Sequence, residues 1–232
     1  MGEAIVKRVL NKLKTCVIAW AVTAPLVLGG CATAPEEPHW LGDIPADDFD
    51  KVMRYLQQRL YEFDNRDIVT LIDYSKHSSE PRMYVVNLKA QTVDKYRVAH
   101  GQGSDLNHDG WLDAFGHAPG SKMSPNGFFR VAEQYSGQHG ASLRMDGLDP
   151  QNENARERAI VIHGASYMSP ILIRRWTKPG RSWGCPAVYG DDMEKLYTQL
   201  PGSLLYIMDD LPAMAMTPGQ DGQKVASLDA GE

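Results

Sequence analysis

The chain has 232 residues, 43% of them hydrophobic, and carries 24 Lys and Arg against 29 Asp and Glu, a net charge of −5. That length suits one domain with a real core plus flanking segments, and the acidic balance argues against nucleic acid or an anionic lipid surface as a partner. Three cysteines, Cys16, Cys31 and Cys185, are too few and too scattered for a disulfide framework.

At the N-terminus, Lys7, Arg8, Lys12 and Lys14 precede an apolar run from Thr15 to Leu28, which ends in Leu28-Gly29-Gly30-Cys31. A basic head, an apolar stretch too short for a comfortable membrane span, and small residues before a cut predict a secretory signal peptide over residues 1–30. Leu-Gly-Gly-Cys resembles a bacterial lipobox, which implies lipidation of Cys31. Ala32 in place of Asp then implies sorting to the outer membrane and a periplasmic domain. Ordinary secretion with Cys31 in a loop is the alternative.

Loss of residues 1–30 leaves 202 of the 232, with 20 basic and 28 acidic side chains, a net charge of −8. Cys16 leaves with the signal and Cys31 takes the lipid, so Cys185 is left as a lone thiol in an oxidising compartment. A lone cysteine is often an inert small hydrophobe. Here Gly184 precedes it and Pro186 follows, which predicts a turn and a reactive group.

Residues 31–46, with Pro35, Pro38, Pro45, Glu36 and Glu37, read as the lipidated end and a spacer. A helix is expected over 47–66, capped by Asp47. Its apolar Phe49, Val52, Met53, Leu56, Leu60 and Phe63 share one face that packs on the domain rather than on a partner. Strands are expected over 68–74, 83–88 and 93–98, the last two joined by a turn at Lys89-Ala90-Gln91, and then over 127–134, 142–145, 159–163 and 204–208. Residues 191–200 read as a second helix. The count predicts a mostly β, largely antiparallel domain with a few helices over 67–210. From 211 to 232 the chain is rich in Pro, Gly, Ala and Asp and reads as a disordered tail.

Between these strands, Asp105-Leu106-Asn107-His108-Asp109-Gly110-Trp111-Leu112-Asp113 sets oxygen-bearing side chains at alternate positions around a glycine. This is how a calcium loop opens, with Asp105, Asn107, Asp109 and Asp113 as ligands, although Gly116 stands where a closing bidentate Glu belongs. The competing reading is a run of Asx turns in which the same side chains bond their own backbone. No cofactor is required on either reading, and scattered histidines without a second thiol argue against catalytic zinc.

The chemistry gathers between His163 and Cys185, twenty-two positions apart. An apolar, β-branched run that ends in His163-Gly164 delivers an imidazole to a sheet edge, and Ser182-Trp183-Gly184-Cys185-Pro186 holds a thiol in a tight turn. A lone histidine on an apolar strand is ordinarily a core residue; the thiol makes it a candidate base. A free thiol is mostly protonated at neutral pH, so a neighbouring imidazole is what turns it into a nucleophile. Backbone N–H groups around Trp183, Gly184 and Cys185 are candidate oxyanion donors, with Ser182 bonding inside the turn or orienting the substrate.

These residues resemble the L,D-transpeptidase (YkuD-type) catalytic domain, and in particular its murein branch. The likeness rests on Val161-Ile162-His163-Gly164-Ala165 with Tyr167 and on Gly180-Arg181-Ser182-Trp183-Gly184-Cys185-Pro186-Ala187-Val188. It extends to Ala99-His100-Gly101, Gly120-Ser121, Ser124-Pro125-Asn126-Gly127-Phe128-Phe129 and the segment from Ser142 to Leu148, and so spans residues 67–208. The resemblance implies a β-sandwich or barrel-like catalytic domain, Cys185 as nucleophile, His163 as base, and Ser182, Trp183 and Gly184 shaping the oxyanion site.

Gly164 and Tyr167 would then contact substrate. Trp183 and Ala187 replace the His and the Arg or Asn of better-known members, so Arg181 and Arg144 are the candidates for binding substrate carboxylates. The implied substrate is a peptidoglycan stem peptide containing meso-diaminopimelate. Acyl transfer would go to another stem, to a wall-anchored lipoprotein or to water, and carbapenems would acylate Cys185. A hydrolase of the same fold and a non-catalytic wall-binding lipoprotein remain as alternatives.

Overall fold

The computed structural model describes residues 39–211. The expected signal peptide, the expected lipidation site Cys31 and all but the first residue of the expected 211–232 tail lie outside the described residues. Among the described residues, no helix is long and apolar enough to cross a membrane.

Eight strands form one sheet: β1 (Ile68–Ile72), β2 (Met83–Asn87), β3 (Thr92–Tyr96), β4 (Gly127–Gly137), β5 (Gly140–Gly147), β6 (Val161–Gly164), β7 (Ala187–Val188) and β8 (Leu204–Ile207). Three α-helices accompany them: α1 (Ala46–Gln58), α2 (Pro170–Trp176) and α3 (Gly190–Gln199). The strand order is β3-β2-β1-β8-β4-β5-β6-β7. The β1–β8 and β6–β7 pairs are parallel and the other neighbours antiparallel. Past β3, Ala99 bridges to Ala187 of β7 and Gly101 bridges to Ser182, so the sheet curls into a nearly closed, barrel-like form.

The central strands are apolar on both faces, and their two-residue period divides them between two cores. Ile68, Ile72, Met83, Val85, Leu205 and Ile207 face the barrel interior with Leu143, Met145 and Ile162. Their neighbours Val69, Leu71, Tyr84, Val86, Leu204 and Tyr206 face outward, where Phe49, Val52, Met53 and Leu56 of α1 cover them. The expected one-sided packing of this helix on the domain is what the structure has. Strand β3, by contrast, exposes Thr92, Asp94 and Lys95, the polar dress of a sheet edge.

Boundaries differ from expectation for local reasons. Helix α1 starts at Ala46 with Pro45 in the cap position, so Asp47 lies in the first turn with Asp48, where both complement the helix dipole. It ends at Gln58 and is followed by a 3-10 turn, Leu60–Glu62, rather than running on to 66. The expected spacer gives way by residue 39: Leu41 and Ile44 are buried in the outer core and Trp40 stacks edge-on against Phe49. Helix α2 and the two-residue β7 were not expected.

Candidate active site

Strand β6 carries His163 between β5 and β7, in register with Ser142 on one side and Ala187 on the other. Only 3% of the residue is exposed. Its Nδ1 lies 3.0 Å from the Gly164 carbonyl oxygen. A carbonyl cannot donate, so Nδ1 carries the proton and Nε2 keeps the lone pair of a base. Burial pushes the imidazole pKa down, the Gly164 bond works the other way, and His139 lowers it again. His139 comes from the tip of the β4–β5 hairpin and stacks on His163 at 4.3 Å between ring centroids.

The Cys185 turn is held from several sides. Ser182 Oγ donates to the Cys185 carbonyl at 2.6 Å and accepts from the Gly184 amide at 3.1 Å. Gly184 has φ +116°, and a Cβ there would stand 2.6 Å from the Met123 carbonyl oxygen, so only glycine fits. Ser124 Oγ donates to the Gly184 carbonyl at 3.2 Å and accepts from the Gly101 amide at 2.9 Å. Because the Gly184 N–H is taken within the turn, the amides of Trp183 and Cys185 are left as the candidate oxyanion donors. This narrows the expected set of three.

The Cys185 thiol donates to the Ala159 carbonyl at 3.6 Å. Burial pushes its pKa up, while the Val161 amide and the Arg158 charge hold it down. Thiol and imidazole line one cleft of about 380 Å³ together with Gln138, His139, Arg158, Ala159, Tyr167, Arg181, Ser182 and Trp183. Among the described residues no carboxylate lines it, although the chain as a whole is acidic. Tyr167 is also pushed up, first by burial and then by the neighbouring Cys185. Trp183 is 70% exposed at the rim, with Lys122 Nζ 4.5 Å from its ring centroid.

Of the two arginines expected at the substrate, only Arg181 reaches this cleft, anchored on the Asp105 carbonyl. Arg144 is diverted on β5: Glu133 pairs with it at 3.1 Å and its guanidinium lies 4.3 Å from the Tyr135 ring centroid. Gly164 lines the adjoining cleft with Tyr189, Asp191 and Glu194 rather than the one that holds Cys185. Arg158 and His139 were not singled out in the sequence. Nothing near them in the chain marks them; the loop before β6 and a hairpin tip bring them in.

The Asp105–Asp113 loop forms nested Asx turns. Asp105 accepts from the Asp109 and Gly110 amides at 3.1 and 3.2 Å, Asn107 accepts from Asp109 at 3.1 Å, and Asp109 accepts from Trp111 at 2.9 Å. Asp105 is fully buried and accepts from His100 Nε2 at 3.0 Å, while Arg82 Nη2 donates to His100 Nδ1 at 2.9 Å. Among the described residues, no group of three or more His, Cys, Asp or Glu is placed to hold a metal. The loop therefore has the Asx turns of the second sequence reading.

The loop serves the active site through the backbone that follows β3. The His100 carbonyl accepts from the Ser182 amide at 2.9 Å, and the Gln102 amide donates to the Ser182 carbonyl at 2.8 Å.

A family model for the L,D-transpeptidase catalytic domain matches residues 42–208 of this chain. The match takes in α1 as well as the sheet it covers. Comparison with curated proteins finds no match. Similar solved structures include an L,D-transpeptidase from Mycobacterium smegmatis, at 11% identity and TM-score 0.38, covering 61% of this chain and 58% of that one. The helical cell shape determining protein Pgp2 from Campylobacter jejuni is similar at 13% identity and TM-score 0.39, covering 66% and 51%. L,D-transpeptidase 3 from Mycobacterium tuberculosis follows at 14% identity and TM-score 0.35, covering 62% and 61%. The chain thus spans less than two thirds of the length of each of these structures.

Proposed function

Since the chain belongs to the L,D-transpeptidase catalytic domain family, we propose that it is a cysteine acyltransferase that acts on peptidoglycan stem peptides of the meso-diaminopimelate type. The observation that carries this reading is a basic imidazole nitrogen and a lone thiol on one cleft that has two guanidinium groups and, among the described residues, no carboxylate. Such a cleft attracts a substrate that bears carboxylates, as stem peptides do.

The thiol proton passes from Sγ to His163 Nε2, and the thiolate attacks the carbonyl of the third stem residue. The tetrahedral oxyanion takes hydrogen bonds from the Trp183 and Cys185 amides. On collapse, the C–N bond breaks and the imidazolium returns its proton to the departing D-alanine amine. A thioester remains on Cys185. In the second half-reaction an incoming amine loses a proton to His163 as it attacks the thioester, and the thiol is regenerated.

A second stem or a wall-anchored lipoprotein would supply that amine, and water in its place would make the enzyme a hydrolase. The basic head, apolar run and Leu28-Gly29-Gly30-Cys31 support export and lipid attachment at Cys31, which would hold the domain beside the wall on the periplasmic side of the outer membrane. The test is product analysis with a purified stem tetrapeptide. Wild type is expected to release D-alanine, and Cys185→Ala and His163→Ala are not. Dimeric products would identify a stem acceptor and free tripeptide would identify water. Release of D-alanine by Cys185→Ala at the wild-type rate would exclude the thiol route.

A further inference from the structure

We infer that Arg158 is the fixed counter-charge of the Cys185 thiolate. This rests on Cys185 being the nucleophile, and it adds a residue that no motif marks. Three features of its surroundings support the assignment. First, the Arg158 side chain lines the same cleft as the thiol. Second, among the described residues its terminal nitrogens are held by uncharged oxygens alone: Nη1 donates to the Gly116 carbonyl at 2.9 Å, and Nη2 to the Met123 carbonyl at 2.8 Å and Ser121 Oγ at 3.4 Å. The guanidinium is therefore fixed in place without being neutralised.

Third, the chain that carries Arg158 is itself wrapped around the thiol. The carbonyl of Ala159, the residue next to Arg158, accepts from Sγ at 3.6 Å. Ala159 adopts φ +53°, a left-handed conformation unusual for a residue with a side chain, as the chain turns from the Arg158 loop into β6. Arginine and thiol thus belong to one rigid unit. Burial opposes the charge on both groups, and each offsets part of that cost for the other.

The other titratable or charged groups that face the cleft are His163 from β6, His139 from the hairpin tip, Tyr167 from the 3-10 turn after β6, and Arg181, whose guanidinium is tied to the Asp105 main chain. When the Sγ proton moves to His163 Nε2, negative charge appears on sulfur. Arg158 is the guanidinium already fixed on the loop that wraps it.

The test follows alkylation of Cys185 by iodoacetamide as a function of pH, in the full chain with the modified position located by peptide mass spectrometry. Wild type is compared with Arg158→Gln and Arg158→Lys, with Cys185→Ala as the blank. The glutamine variant is expected to move the midpoint up by about one pH unit, a roughly tenfold loss of thiolate at neutral pH, and the lysine variant to restore most of it. An unchanged midpoint in Arg158→Gln, or equal shifts in both variants, would overturn the assignment.

A second measurement needs no variant. The ratio of iodoacetate to iodoacetamide rates at Cys185 should exceed that of free glutathione, since an unneutralised cation attracts the anionic reagent. A ratio equal to that of glutathione would also overturn the assignment. Failure of wild-type Cys185 to react at any pH would instead strike the nucleophile itself.

Discussion

The imidazole of His163 is enclosed by β5, β7 and the His139 ring, and burial is the first cause of its lowered pKa. A base acts in its neutral form, so the sign follows directly. Activity should persist as pH falls below the ordinary histidine value of about 6.5, and fade only as pH passes through the depressed value of His163. The acid limb of kcat/KM against pH measures this; a limb centred at or above the ordinary value would contradict it. The same burial explains what could be read at residue level. Cys185 and His163 stand out because each sits in a short local pattern, Gly-Cys-Pro and a strand ending in His-Gly. Arg158 and His139 do not, since their roles come from segments meeting in space, and Arg144 was misjudged because Glu133 and Tyr135 across the hairpin claim it.

Helix α1 was legible from its 3.6-residue period, and its burial sets what a mutation should do. Leu56 is fully buried against the outer face of the sheet, so Leu56→Ala should cost about 2–5 kcal/mol through lost transfer energy and a cavity. No α1 residue lines the cleft that holds Cys185, so specific activity per folded molecule should stay near wild type. Urea unfolding beside an active-thiol titration tests both halves; a variant of wild-type stability would show that the helix is not part of the core. Deleting the helix should likewise unfold the sheet rather than uncover the site. Helix α2 escaped notice for a physical reason. It has seven residues, exposes Ile171, Leu172 and Trp176 and buries only Ile173, so no amphipathic stripe announces it. Strand β7, at two residues, is too short for any period and is defined only by its neighbours His163 and Ala99.

Across the whole molecule, the cleft stands on a buried polar network that joins β2 to the catalytic turn. Arg82 can only donate, so His100 accepts at Nδ1, donates from Nε2 to Asp105, and is held neutral. Burial pushes its pKa down to about 4. The unfolded chain takes up this proton near pH 6.5 while the folded chain refuses it, so the stability present above pH 6.5 is lost as pH falls toward 4. The loss attributable to His100 is roughly 3 kcal/mol. Urea unfolding at pH 7.0, 5.5 and 4.5 should show the decline, and a flat profile would count against a neutral buried His100. The alternating oxygens of the Asp105 loop look from sequence like a cation site because Asx turns and calcium loops use the same residues. In this structure those oxygens accept from backbone N–H groups of their own loop.

Everything proposed for this cleft depends on the thiol of Cys185 attacking an acyl donor. Intact-mass spectrometry of the full chain after incubation with a carbapenem, and separately with a stem tetrapeptide, observes that step directly. Wild type should gain the mass of the acyl adduct, while Cys185→Ala gains none and His163→Ala gains it far more slowly. A folded wild-type chain that stays unmodified by both reagents would contradict the account and leave a wall-binding protein without turnover in its place.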